Sequence, residues 1–196
     1  MSYYPLMIQL ADRPVLLVGG GRVARRKGDA LLSAGADLRV VAPALCDQLA
    51  ELAAEGKVAW RQGAFAPADL EGIFLAVACT DRREVNARVG DLCRERGILC
   101  CLCDDAGQSD AIFPAVVKRG AFQLAVSTGG QNPGLAREVK KRLARQFGPE
   151  YAALCQESGQ ARQAILRAAQ GAEREVLLRQ LDKAALEGTD LPAEED

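Results

Sequence analysis

The stretch that most constrains the fold is Pro14–Ala24, PVLLVGGGRVA. An apolar run, Val15-Leu16-Leu17-Val18, ends at three consecutive glycines. From Arg22 the pattern turns helical, with Val23, Lys27, Ala30, Leu31 and Ala34 on one face. A strand, a glycine turn and a helix in that order contain Gly19-x-Gly21-x-x-Ala24, a form of the dinucleotide fingerprint. The first glycine permits a tight turn, and the second lets backbone approach a pyrophosphate. A small third residue lets the helix pack on its strand, and the helix N-terminus offers free N–H groups and partial positive charge. The alternative is a plain βα turn of some other doubly wound protein.

The rest of the first half repeats this rhythm. Residues 3–10 form a short strand or an extended lead-in. Asp37–Val41 is a second strand, closed by Ala42-Pro43, and a helix follows over about 44–55. Val58-Ala59-Trp60 is a short third strand. Ile73–Ala78 is a continuous apolar run, as a parallel strand buried on both faces requires. Thr80 or Asp81 caps a helix with the stripe Val85, Val89, Leu92 and Cys93, ended by Gly97. Ile98–Cys103 is a fifth strand, running into Asp104-Asp105. Alternating strands and helices predict an α/β fold, a Rossmann-type doubly wound parallel sheet. Ligands of such sheets bind beyond the strands' carboxyl ends. Gly19–Val23, Pro43-Ala44, Cys79-Thr80-Asp81 and Asp104 lie there.

After residue 110 the rhythm changes. Ala111–Val117 and Phe122–Ser127 read as an antiparallel hairpin, with Pro114 marking an edge or a bulge. Asn132 and Pro133 supply the N-cap and first position of a helix carrying Leu135, Val139, Leu143 and Phe147. Helical pattern resumes from Glu150, broken near Gly159 and Gly171, and the tail from Gly188 is acidic and frayed. The expected organisation is a nucleotide-binding domain over 1–110, a small α+β segment over 111–148, and a helical C-terminal region over 149–196.

Composition narrows the chemistry. The chain has no histidine, which excludes histidine acid–base catalysis, histidine-dependent nucleophiles and histidine metal ligation. A net charge of −1 argues against a general nucleic-acid binder. No apolar run approaches the roughly 20 residues that span a bilayer, and MSYYPLMIQLADR lacks the basic start of a signal peptide. A soluble, cytoplasmic protein with its seven cysteines reduced is expected.

Individual residues leave alternatives open. Asp104 is either a reactive carboxylate at a strand end or a loop cap. Cys100, Cys101 and Cys103 have no recognised metal spacing and read as small buried hydrophobes, so no metal site is expected. Between Lys118 and Phe147, seven basic residues face one acid, Glu138. They form a solvated helix face or a surface for a polyanionic small molecule. Ser127-Thr128-Gly129-Gly130 either holds an anion or bends the chain. Val41-Ala42-Pro43 lacks the acid that reads a ribose 2′-hydroxyl, so this strand end does not separate NAD from NADP.

Six segments in order carry a resemblance: YPLMIQLADRPVLLVGGGRVARRK, LLSAGADLRVVAP, LAVACTDRREVN, ILCCLCDDA, FPAVVKRG and LAVSTGGQNPGLAREVKKRL. From about Pro5 to Phe147 the chain resembles the precorrin-2 dehydrogenase family, which also forms the N-terminal half of siroheme synthases and includes sirohydrochlorin ferrochelatases. The resemblance implies NAD-dependent oxidation of precorrin-2 to sirohydrochlorin, with Asp104 as catalytic base. It implies NAD contacts at Gly21, Arg22, Val23, Pro43, Ala44 and Thr80, beside Gly19 of the fingerprint. It places the family's turn serine on Ser127, and the tetrapyrrole's carboxylates give Arg119 and Lys140 a purpose. It further implies an intertwined homodimer and, in some members, insertion of Fe2+ or Co2+. The methyltransferase half of fused members has no counterpart here, so synthesis of precorrin-2 itself is not expected. An NAD-sensing module without catalysis is the competing possibility, though it leaves Asp104 and the basic segment without a role.

Overall fold

The computed structural model describes residues 3–187. It divides into two compact units, one ending at Phe113 and one beginning at Pro114. The first unit is a five-stranded sheet of β1 (Pro14–Val18), β2 (Asp37–Ala42), β3 (Ala59–Gln62), β4 (Leu75–Ala78) and β5 (Leu99–Leu102). The order is β3-β2-β1-β4-β5 and every pairing is parallel. The chain starts in the middle, builds to one side, then crosses to the other. The switch point therefore falls between β1 and β4.

Period-two alternation splits the core into two layers. Val15, Leu17, Leu38, Val40, Val77 and Cys101 pack with Ala24 and Leu31 of α1 (Arg22–Leu32) and Leu49 of α2 (Asp47–Ala54). Leu16, Val18, Ala76, Ala78, Cys100 and Leu102 pack with Val89 and Cys93 of α3 (Arg83–Arg96). The apolar runs are continuous because both faces of β1 and β4 are covered, and these strands are buried almost throughout. The adjacent Cys100 and Cys101 serve opposite layers as small buried hydrophobes. Cys103 departs from that expectation, since it is exposed.

Several boundaries differ from the sequence expectation. The lead-in is extended but unpaired, and Tyr3 holds it by donating from its hydroxyl to the carbonyls of Ala106 and Ser109. Helix α2 starts only at Asp47. Neither Thr80 nor Asp81 is the N-cap of α3, which is Arg82; the Thr80 hydroxyl is occupied by a residue deeper in the helix. Gly97 ends α3 in the left-handed conformation, at φ 67°.

The second unit pairs β6 (Ala115–Arg119) with β7 (Phe122–Val126) in an antiparallel hairpin. It adds α4 (Pro133–Gln146), α5 (Tyr151–Ala168) and α6 (Gly171–Glu187). Pro114 precedes the strand rather than interrupting it, because a proline cannot donate to the ladder. Asn132 accepts from the Leu135 N–H at 2.9 Å, capping α4 as its sequence position suggests. Phe122, Phe147 and Tyr151 form an aromatic cluster, with ring centroids 5.0–5.6 Å apart. Helix α5 runs unbroken through Gly159, and the chain breaks only before Gly171. The expected frayed tail lies outside the described residues.

Candidate functional site

The glycine turn is wedged between the loops that follow β2 and β4. Gly19 donates to the Val41 carbonyl at 2.9 Å, and Cys46 donates to the Gly20 carbonyl at 2.8 Å. Gly19 has φ +127°, and a Cβ there would lie 2.8 Å from the Cys79 carbonyl oxygen. The tightest position is the middle one. A Cβ on Gly20 would come within 1.9 Å of the Ala44 carbonyl oxygen. Gly20 is the unspecified x of the Gly19-x-Gly21 pattern, and nothing local in the sequence reveals which loop folds over it.

Gly21 is the opposite case. A Cβ there would meet nothing within 4 Å, so its surroundings are open. It is the N-cap of α1, and no side chain satisfies the first N–H groups of that helix. Open space, an uncapped helix N-terminus and bare backbone form a cradle that suits a pyrophosphate. Pro43 and Ala44 are exposed beside it, and Gln62 donates to the Pro43 carbonyl at 3.2 Å. Gly19, Gly21, Arg22, Val23, Pro43, Ala44 and Thr80 thus gather at the carboxyl edge of one sheet. The donor set fits a dinucleotide.

Thr80 is held by a residue the sequence reading passed over. Asn86, 1% exposed, accepts from the Thr80 N–H at 3.1 Å and from its hydroxyl at 2.8 Å. Its amide returns a bond to the Thr80 carbonyl at 3.1 Å. An asparagine one position from an apolar stripe was the available signal. Replacing Asn86 with Ala strips three bonds from a partly buried loop, and a loss of about 1–3 kcal/mol in denaturant unfolding is expected.

Asp104 and Asp105 follow β5, and their partners distinguish them. The Asp105 carboxylate accepts from the Gln108 N–H at 3.2 Å and caps a short 3-10 turn, Ala106–Gln108. Ser109 closes the loop from below, accepting from the Leu102 N–H at 2.8 Å and donating to the Asp105 carbonyl at 2.8 Å. The exposed Asp104 joins Arg83, Asp91, Arg94 and Gln108 around a cavity of about 420 Å³ between α3 and this loop. Arg94 is steadied by Asp91 at 2.9 Å and Gln108 at 3.3 Å.

The remaining candidates belong to the second unit. Ser127 is exposed at the end of β7, where its Oγ accepts from the Gly129 N–H at 3.1 Å. Lys140 is half-buried on α4. Arg119 does not have the free guanidinium that a substrate arm requires. It donates to the Phe147 carbonyl at 3.0 Å and the Ala144 carbonyl at 3.1 Å, closing the C-terminus of α4. Among the described residues no three potential ligands converge on a metal, and no helix is long and apolar enough to cross a membrane.

Comparison with known proteins agrees with this geometry. Residues 6–115 match a family of NAD(P)-binding domains, and residues 119–146 match the central region of sirohaem biosynthesis proteins. Siroheme synthase 3 of Aeromonas hydrophila is 48% identical over 143 residues, which is 73% of this chain and 31% of that protein. The siroheme synthase of Chromobacterium violaceum is 43% identical over 165 residues, 84% of this chain and 35% of its own length. The chain thus spans about a third of these relatives. The solved structure of SirC, a precorrin-2 dehydrogenase, superposes with a TM-score of 0.74 at 25% identity, covering 92% of this chain and 100% of SirC. With its dinucleotide cradle, its strand order and these relatives, the chain belongs to the NAD(P)-binding family shared by the siroheme synthases and precorrin-2 dehydrogenase.

Proposed function

We propose that the protein is an NAD-dependent dehydrogenase that oxidises precorrin-2 to sirohydrochlorin. The observation that carries this is the cavity between α3 and the loop after β5, where Asp104 stands with Arg83 and Arg94. The reaction removes a hydride and a proton from the tetrapyrrole. NAD supplies the hydride acceptor. The glycine turn and the α1 N-terminus hold its pyrophosphate, and the Pro43-Ala44 and Thr80 loops flank the cradle on either side. Asp104 takes the proton. Its neighbour Asp105 is committed to a cap, and no histidine exists to compete for the role.

Arg83 suits a polycarboxylate substrate, while Arg94 is engaged by Asp91 and Gln108. Within the second unit, Ser127 and Lys140 are candidate anion contacts in their own right, while Arg119 serves the fold. The same Asp104 carboxylate would serve in removing pyrrole protons if the enzyme also inserts Fe2+ or Co2+ into sirohydrochlorin. A homodimer is supported by the hairpin, a lone two-stranded sheet with Val116 37% exposed, beside α4 with Leu135 52% exposed. A cytoplasmic setting suits seven free cysteines.

The test is an anaerobic absorbance time course with precorrin-2, with and without NAD+. Appearance of the sirohydrochlorin spectrum only with NAD+ is expected. No spectral change, with NAD+ binding verified by calorimetry, would leave a nucleotide-sensing module as the better description.

A further inference from the structure

Three thiols that the proposed dehydrogenase chemistry does not use lie at the same carboxyl edge. Strands β4 and β5 pair Val77 with Cys101 and Ala78 with Leu102. The ladder continues one step further, because the Cys103 N–H donates to the Ala78 carbonyl at 2.9 Å. Cys79 therefore comes to lie opposite Cys103. Alternation along the strands puts Cys79, Cys101 and Cys103 on one face. Cys101, and in part Cys79, pack in the layer that faces α1, and the Cys79 thiol donates to the Val18 carbonyl at 3.6 Å.

Their surroundings differ. Cys101 is 4% exposed and Cys79 is half-buried, whereas Cys103 is exposed. The neighbouring Cys101 and Cys79 thiols, with the positive charges of Lys27 and Arg26 on α1, hold the Cys103 thiol well below the usual range. Lys27 is itself placed over the Phe113 ring, 3.9 Å from its centroid. Proximity to the Cys103 thiol, together with burial, pushes the Cys79 and Cys101 thiols up. One exposed, readily ionised thiol thus sits beside two more buried ones, an arrangement of attacking and resolving cysteines.

We propose that Cys103 is a site of reversible oxidation, and that a hydroperoxide links it to Cys79 in a disulfide that disables the dinucleotide cradle. The Cys103 sulfur attacks the peroxide's terminal oxygen, breaking the O–O bond to give a sulfenic acid and an alcohol, or water from hydrogen peroxide. The Cys79 thiol then attacks that sulfur, the S–S bond forms, and the hydroxyl leaves as water with the thiol's proton. Two cysteines are oxidised and one peroxide is reduced.

Register selects Cys79 over Cys101. Neighbouring strands run about 4.7–4.9 Å apart, within the Cα separations that disulfides span. Two residues along one strand lie roughly 6.6 Å apart, near the upper limit of that range. The bridge matters because of where Cys79 stands. Its carbonyl oxygen is the atom a Cβ on Gly19 would strike, and its N–H donates to the Val18 carbonyl at 2.9 Å. A bond that draws the ends of β4 and β5 together therefore shifts the wall of the glycine turn.

The experiment treats the full chain, reduced and then desalted, with hydrogen peroxide. Disulfide mapping by mass spectrometry should find Cys79 joined to Cys103. NAD+ binding by calorimetry should weaken about tenfold or more and return with dithiothreitol. Iodoacetamide should label Cys103 before the other cysteines, and bound NAD+ should slow that labelling. Cys103→Ser, an exposed and conservative change, should bind NAD+ normally and keep that affinity after peroxide. A bridge between other cysteines, an unoxidised Cys103, or equal loss of binding in Cys103→Ser would overturn the proposal. None of these readouts involves the tetrapyrrole, so they stand apart from the test of dehydrogenase activity.

Discussion

Asp104→Ala is expected to bind NAD+ with unchanged affinity, unfold at the same temperature and lose turnover of precorrin-2 by about 10²–10⁴-fold. The side chain is exposed beyond β5, and the loop's internal bonds run through Asp105 and Ser109 instead. Its removal therefore takes little from the fold. It also follows β5, which is two strands from β1 and its glycine turn. The loss should fall on the chemical step and thus on kcat. Asp105→Ala makes the control. It removes the cap on the Ala106–Gln108 turn, so a loss of about 1 kcal/mol in stability with most activity retained is expected. Unaltered turnover in Asp104→Ala would exclude this carboxylate as the base. Loss of NAD+ binding in the same variant would move it from chemistry to cofactor binding. Stopped-flow absorbance and calorimetry on the two variants separate these outcomes.

Gly20→Ala should produce the largest structural effect of a methyl added at any of the three glycines of this turn. Its Cβ would fall 1.9 Å from the Ala44 carbonyl oxygen, a backbone atom that cannot rotate away. That carbonyl belongs to the loop whose Cys46 N–H is bonded to the Gly20 carbonyl. Relief requires the two loops to separate, which costs about 3 kcal/mol or more and lowers Tm by roughly 6–12 °C. NAD+ binding should be lost as well, because the same movement opens the cradle. Gly21→Ala inverts the pattern. With nothing within 4 Å of the new methyl, stability should change by no more than about 0.5 kcal/mol. The methyl would instead occupy the space a pyrophosphate enters, so NAD+ affinity should fall while Tm holds. Equal effects on Tm from both variants would contradict the packing described for this turn.

What was legible in the sequence was local. Val15–Val18 and Leu75–Ala78 are apolar at consecutive positions because both faces of their strands are covered, and a run of that length needs no partner to be recognised. Gly97 and the Asn132-Pro133 pair mark helix ends through their own backbone preferences. The carboxyl edge of the sheet follows from strand–helix alternation, and with it the neighbourhood of Gly19, Gly21, Pro43, Thr80 and Asp104. Gly159 shows the limit of such rules. A glycine inside a helix costs about 1 kcal/mol, too little to end the 18 residues of α5.

Tertiary structure decided the features that join distant residues. Gly20 is indispensable because the loop after β2 folds over it, while Gly21 is open for want of any such neighbour. Thr80 became a loop residue held by Asn86, and Arg119 became a helix closure reaching Phe147. Asp104 was distinguished from Asp105 only when a hydrogen bond to Gln108 engaged one of them. Cys79 stands opposite Cys103 through the register of two strands whose pairing no spacing in the chain announces. Periodicity records which face of an element is covered. Which residue covers it is set by the packing of elements far apart in the chain, and the chemistry at this sheet edge depends on that packing.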